Sequence, residues 1–323
     1  MEYGQEKAAD AIENDGLIVK AGADEDGMTA RGVLRRAKGV SQRLVRKIAH
    51  GEGEGAGALY INGRAARFRD KVKTGDEIRL VFPEEKSWIE PEEIPLSVLY
   101  EDDDIIVIDK QPGIVVHPTK GHRENTIAGA LVFYMRQRGE NYKPRFISRL
   151  DMDTSGVLLI GKNSHAQDNL AKQSAAGKVG KFYTAVLEGR LEDDLPASGV
   201  IDLPIGLLRP GEPRRAVLSE EEGGYPSQTE YEILGDRPRC VPRCVLTAVR
   251  ARLITGRTHQ IRVHFANYGH PVLGDQLYGR PSEHISRQAL HATEIAFEHP
   301  ATGLPLRIEA PLPADIALLF GIY

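Results

Sequence analysis

The chain is poor in cysteine, with two in 323 residues, and in tryptophan, with one; aromatic residues make up only 6%. Cys240 and Cys244 are too few for a disulfide framework, and a single C-x-x-x-C pair leaves a structural zinc site short of ligands. Both are expected to be reduced thiols in a cytoplasmic protein. No apolar run approaches the roughly 20 residues of a membrane-spanning helix. The segment Met1-Glu2-Tyr3-Gly4-Gln5-Glu6-Lys7 is acidic and has no apolar core, so no secretory signal is expected. No Gly-x-Gly-x-x-Gly follows a strand, and there is no Gly-Lys-Ser/Thr, His-Glu-x-x-His or Gly-x-Ser-x-Gly. The ten histidines are scattered. Metal hydrolysis and a serine triad therefore have no foothold, and the chemistry is expected to rest on carboxylates and arginines, with no cofactor and no metal.

What is present is ordinary for a globular protein: 41% hydrophobic and 27% charged residues, in a length that suggests two domains at roughly 150 residues each. The net charge of -4 conceals a strong asymmetry. Residues 1–27 carry 2 basic and 8 acidic side chains, whereas residues 28–80 carry 13 basic and 5 acidic, a net +8. A segment this basic in an acidic chain predicts a local polyanion-binding surface.

Residues 1–27 lack sustained periodicity and are read as a flexible acidic tail. Thr29 is placed to cap a helix ending at Gly39, and Ser41 a second ending at Gly51. On the second helix Arg43, Arg46, Lys47 and His50 fall at i, i+3, i+4 and i+7 and form one cationic stripe. Leu44, Val45 and Ile48 face elsewhere and are expected to be buried. After a glycine-rich loop, Leu59-Tyr60-Ile61 runs into the hairpin signal Asn62-Gly63, and Ile78, Leu80 and Phe82 alternate as a strand. Two helices followed by small strands, with cations on the second helix, resemble the RNA-binding domain named for ribosomal protein S-four. The resemblance implies an RNA-binding domain over 28–83, with Arg43, Arg46 and Lys47 as RNA-binding residues. A proline- and glutamate-rich linker over 84–97 then leads into a larger domain, 98–323.

The larger domain is strand-rich, with expected strands at Ile105–Ile108, Ile114–Val116, Val157–Ile160, Tyr183–Leu187, Val245–Leu253 and Ile295–Phe297. Helices are expected from Ile127, capped by Thr126, and at a Ser164/Gln167 capping box. The fold class is α+β, with a mixed, mainly antiparallel sheet. One stretch carries the chemistry: Ile147-Ser148-Arg149-Leu150-Asp151-Met152-Asp153-Thr154-Ser155-Gly156, directly before the apolar run Val157-Leu158-Leu159-Ile160. An acid in a polar turn, set before a buried strand, is held where rigid structure can aim it at a cleft. The same turn also admits Asx-type backbone bonds from Asp151 or Asp153.

This stretch resembles the Arg-Leu-Asp-x-x-Thr-Ser-Gly motif of the RluA/RluD family of pseudouridine synthases. Lys181-Phe182-Tyr183, then Gly256-Arg257-Thr258-His259-Gln260-Ile261-Arg262-Val263-His264 with Gly274-Asp275 and Tyr278-Gly279, then Leu290-His291-Ala292 match further family motifs in order. Asp109-Lys110-Gln111-Pro112-Gly113 and His117-Pro118 resemble the opening strands. Ser148 stands where the family usually has histidine, and Gln111 interrupts the usual Lys-Pro pair.

The resemblance implies a cofactor-independent RNA isomerase that detaches uracil from ribose at nitrogen 1 and rejoins it at carbon 5. It makes Asp151 the catalytic carboxylate, Arg262 its pairing cation and Tyr183 the residue facing the uracil. Arg149 would fill the space left by a flipped nucleotide, and Arg257 and His259 would contact phosphate. Thr258 is expected to cap the helix that carries Arg262. The expected substrate is ribosomal RNA, most often of the large subunit, with transfer RNA as the alternative. Two rival functions are a non-catalytic RNA-binding or ribosome-assembly protein, and a hydrolase using Asp151 with Asp153. The hydrolase would need its two carboxylates roughly 5–9 Å apart across the bond, and would release free uracil or sugar. No membrane and no obligatory protein partner is expected.

Overall fold

The protein is described by a computed structural model covering residues 16–51, 57–83, 87–119, 121–209, 211–234 and 245–321. Cys240, Cys244 and most of the glycine-rich loop lie outside these residues.

The first module contains β1 (Leu17–Lys20), α1 (Ala30–Lys38), α2 (Gln42–Ala49), β2 (Ala58–Ile61), β3 (Arg64–Ala65) and β4 (Glu77–Val81). Its sheet has the order β1-β4-β2-β3, all antiparallel. The two caps form as the sequence predicts: Thr29 Oγ1 and Ser41 Oγ each accept a backbone N–H at 3.2 Å, from Gly32 and Leu44. The hairpin turn at Asn62-Gly63 places both residues at positive φ (49° and 74°), as a two-residue turn of this type requires. Val33 and Leu34 of α1 and Leu44, Val45 and Ile48 of α2 pack on Leu17, Val19, Leu59, Ile78 and Leu80. Each such side chain taken from water contributes about 2 kcal/mol.

The described end of the segment read as an acidic tail is structured. Leu17–Lys20 is an edge strand, with Leu17 opposite Leu80 and Val19 opposite Ile78. Asp26 caps the turn at Thr74, accepting its backbone N–H at 2.9 Å. Burying Leu17 and Val19 in the module core is what recruits this end of the acidic segment.

The segment read as a linker is partly docked. Ile89 is buried against Ala128, Val132 and Met135 of α3 (Ile127–Gln137). Glu92 receives the backbone N–H of Asn125 and the Thr126 hydroxyl at the start of that helix, and its own N–H donates to the Gly129 carbonyl (3.0 Å). Ser97 already belongs to β5 (Ser97–Glu101).

The larger body is built on one sheet. Its strands are β5, β6 (Ile105–Lys110), β7 (Arg145–Phe146), β8 (Ser155–Gly161), β9 (Gly180–Glu188), β10 (Ser198–Asp202), β13 (Gln228–Ile233), β14 (Leu246–Leu253), β15 (Leu290–Glu298) and β16 (Pro305–Glu309). The order is β10-β13-β14-β9-β15-β8-β6-β5, with β16 on β15 and β7 on β8; only β15 and β8 run parallel. A small hairpin, β11 (Ile205–Leu207) and β12 (Arg215–Val217), stands apart. The fold is thus α+β on a mainly antiparallel sheet, as expected.

The sheet is covered on both faces, which explains its unbroken apolar runs. Ile106, Ile108, Leu158 and Ile160 pack beneath α3, α5 (Gln260–Asn267) and α6 (Ala314–Leu319). Their neighbours Ile105, Val107, Val157 and Leu159 pack beneath α4 (Ser164–Ala175). Two cap assignments shift. Asn163, one residue before Ser164, caps α4 by accepting from Ala166 N at 2.8 Å. At α5 the cap position is His259, left-handed at φ 59°, and not Thr258. Ile114–Val116 forms no strand beyond one bridge from Val115 to Thr126. Gly156 sits at φ 109°, where a Cβ would meet the Ala292 carbonyl oxygen at 2.2 Å, so only glycine lets β8 lie against β15. Ser155 Oγ and His291 Nδ1, 2.9 Å apart, join the same two strands.

Candidate active site

Asp151 opens a turn between β7 and β8. Thr154 N closes the turn onto the Asp151 carbonyl at 3.1 Å, and buried Leu150 anchors it in the core. The turn forms one wall of a cleft of about 480 Å³, within the range of small-molecule sites. Val116, His117, Phe146, Arg149, His259 and Arg262 contribute to its walls.

Arg262 enters from the first turn of α5, as its motif position predicts. Its Nη1 donates to Asp151 Oδ2 at 2.8 Å. The other edge of the guanidinium is held by Asp275, with Nε on Oδ2 at 2.6 Å and Nη2 on Oδ1 at 2.9 Å. The face lies 5.1 Å from the Tyr278 ring centre. Asp275 is fully buried and also accepts the backbone N–H of Leu277 and Tyr278. A guanidinium committed along one edge has one direction left for Nη1, which fixes the approach to Asp151. Burial opposes the charge on Arg262, but its hydrogen bonds to Asp275 and the charges of Asp151 and Asp275 outweigh burial and hold it above its ordinary value. Burial would raise the Asp275 carboxyl, yet the Arg262 bond and charge keep it below the usual range.

Tyr183 of β9 is buried, 7% exposed, and does not line the cleft. Burial and then the charge of Asp151 push its phenol upward, so it keeps its proton at rest. His259 lines the cleft with Nε2 3.9 Å from Asp151 Oδ2 and Nδ1 2.8 Å from the Tyr278 hydroxyl. Burial drives it toward the neutral form, against the pull of Asp151. A neutral, partnered imidazole suits shaping the cleft better than gripping phosphate. Arg149 is exposed at the cleft wall, whereas Arg257 lies outside it, over the Tyr225 ring at 5.5 Å. Arg43 and Arg46 are exposed and Lys47 half-buried on α2, and none of the three lines the cleft.

The sequence reading passed over Asp275, although it stands in the Gly274-Asp275 pair of the longest motif. It also passed over Lys110 and Arg287, whose side chains run beneath the Asp151 turn. Among the described residues one group has the spacing of metal ligands, Asp102, Asp104 and His299. Its histidine is already engaged: His299 Nε2 meets Asp102 at 2.8 Å, and His299 Nδ1 accepts from Ala301 and Thr302.

Comparison with known proteins follows the same segments. The family model described as RNA pseudouridylate synthase matches residues 104–267, from β6 through α5, a span that contains Asp151, Tyr183 and Arg262. The chain belongs to this family of isomerases acting on RNA, in its RluA/RluD group. It is 35% identical over 283 residues to the uncharacterised RNA pseudouridine synthase YjbO of Bacillus subtilis, covering 87% of this chain and 94% of that one. It is 38% identical over 272 residues to ribosomal large subunit pseudouridine synthase D of Nitrosomonas europaea, covering 81% and 75%. The solved structure of human RNA pseudouridylate synthase domain containing 1 overlays with a TM-score of 0.55 at 25% identity, over 72% of this chain and 90% of that one.

Proposed function

We propose that this enzyme isomerises specific uridines of large-subunit ribosomal RNA in the cytoplasm, with Asp151 as the catalytic carboxylate. The observation that carries the reading is the line Asp275–Arg262–Asp151, in which a locked guanidinium donates to one oxygen of a carboxylate in a nucleoside-sized cleft. Relatives named for the large ribosomal subunit support the choice of RNA.

In the reaction the bond from ribose to nitrogen 1 breaks and a bond from ribose to carbon 5 forms. Carbon 5 gives up its proton and nitrogen 1 gains one, so neither an oxidant nor a net water is consumed. Asp151 serves as the nucleophile or electrostatic partner of the detached group, and Arg262 orients it. Tyr183 takes a late role. The Asp151 charge is one of the two causes that raise its phenol, and a covalent bond from Asp151 to substrate removes that charge. The phenol then ionises more readily than at rest, and once it has passed its own proton to solvent the phenolate takes the proton from carbon 5. Arg149, exposed at the cleft wall, contacts the RNA beside the flipped nucleotide, and Arg257 adds a phosphate contact outside the cleft.

The N-terminal module acts as an S-four-like RNA-binding domain. Its net +8 over residues 28–80 and the cationic stripe of Arg43, Arg46 and Lys47 favour phosphate contacts that add affinity without reading sequence.

The test is tritium release from RNA labelled at carbon 5 of uracil, taken from cells that lack the enzyme. Release from large-subunit RNA and none from transfer RNA is the expected result. Release from transfer RNA alone would replace the substrate, and free uracil as product would replace the reaction with hydrolysis.

A further inference from the structure

Lys110, the last residue of β6, is fully buried, yet its ammonium donates to three backbone carbonyls: Gln111 at 2.9 Å, Met152 at 2.8 Å and Thr154 at 2.9 Å. The carbonyl between the last two, that of Asp153, accepts from Arg287 Nη1 at 2.9 Å. Three consecutive carbonyls following Asp151 therefore end on two buried cations that arrive from different parts of the chain. Arg287 is itself clamped, with Nε and Nη2 on the two oxygens of Asp315 at 2.7 and 2.9 Å. Asp315 lies in the first turn of α6, so the C-terminal helix is tied through one side chain to the turn that presents Asp151.

A buried ammonium without a carboxylate bonded to it is a costly way to close a turn. Burial draws Lys110 down to about 7, opposed by the charges of Asp153 and Asp151 and reinforced by Arg287. Surface water satisfies turn carbonyls at far smaller cost. What water does not supply is a fixed direction. Three N–H donors in tetrahedral array, a capacity only the ammonium form of lysine has, define where Gln111, Met152 and Thr154 must stand relative to one another.

We propose that Lys110 and Arg287 are positioning residues for Asp151, holding the 151–154 turn by its carbonyls so that the carboxylate meets the ribosyl–uracil bond in a single orientation. The inference rests on the reading of Asp151 as the catalytic carboxylate. It gives α6 a part in turnover although no residue of that helix lines the cleft.

The test compares full-length Lys110→Met, Asp315→Asn and Asp151→Asn with wild type, using carbon-5-tritiated large-subunit RNA for kcat and KM and a filter assay for RNA affinity. A misplacement of about 1 Å costs on the order of 100-fold in rate, so Lys110→Met is expected to lose about that in kcat. Its KM and RNA affinity should stay within about 3-fold of wild type, a split that general loss of structure does not produce. Asp315→Asn, at a partly exposed position, is expected to lower kcat about 5-fold with KM unchanged. It keeps the question answerable if Lys110→Met does not fold. Wild-type kcat in either folded variant, or a change confined to KM, overturns the proposal. If Asp151→Asn is inactive while the others turn over normally, only the positioning role falls. If Asp151→Asn itself turns over normally, the reading of Asp151 falls first.

Discussion

The cleft and the cationic face of α2 both gather arginines, and they use them in opposite ways. Around the Asp151 turn the buried cations are tied: Arg262 spans two aspartates, Arg287 spans an aspartate and the Asp153 carbonyl, and Lys110 is spent on three carbonyls. On α2, Arg43 and Arg46 stand in solvent, placed only by the helix repeat. A tied cation sets a direction, and its energy depends on its neighbours. A solvated one adds to a field, and its energy depends on salt. Single substitutions should thus be severe in the first region and mild in the second.

The largest effect expected inside this contrast is that of Arg262→Lys. One ammonium does not hold both oxygens of Asp275 and still reach Asp151, so kcat for tritium release should fall about 100-fold with RNA affinity retained. Next is Asp275→Asn, which leaves the Arg262 charge buried with its main partner gone. A loss of about 3 kcal/mol in denaturant unfolding is expected, along with slower turnover; unchanged stability would mean that the pair is not the clamp described above.

A third, smaller effect is on acid stability. Burial lowers His291 to about 4, so the folded state rejects a proton that the unfolded chain accepts near pH 6.5. Its contribution is complete above pH 6.5, is lost as pH falls toward about 4, and levels off below that. Melting temperature should drop across this window, and less so in His291→Gln. The smallest effect belongs to the module. Removing Arg43, Arg46 and Lys47 together should flatten the salt dependence of RNA binding by about 1 unit of slope per lost phosphate contact, with kcat unchanged. A fall in kcat there would erase the contrast between the two regions.

The parts legible in the sequence were those fixed by local chemistry. The α2 stripe follows from a 3.6-residue repeat, the caps Thr29, Ser41 and Thr126 from their hydroxyls, and the Asp151 turn from an acid set before Val157–Ile160. Arg262 fell in the first turn of its helix as its motif position implies. What was not legible depends on pairing across distance. β1 is four residues in an acidic stretch and becomes a strand only because β4 lies beside it. Lys110 reads as the polar end of an apolar strand until the turn at Met152–Thr154 is seen to fold over its ammonium. Asp275 needs α5 and the following loop to meet before it can be recognised as the partner of Arg262. Thr258 failed as a cap because His259 adopts the left-handed conformation, with the Gln260 carboxamide instead accepting the Arg257 N–H at 3.0 Å.

The most direct test of the central claim is the Asp151→Asn variant, measured for tritium release and for RNA affinity in the same preparation. Asparagine keeps the shape of the side chain and removes its charge and nucleophilicity. The account predicts a loss of at least about 1000-fold in release, with affinity within about 3-fold of wild type. Release close to the wild-type rate would contradict it and take the chemistry away from this carboxylate.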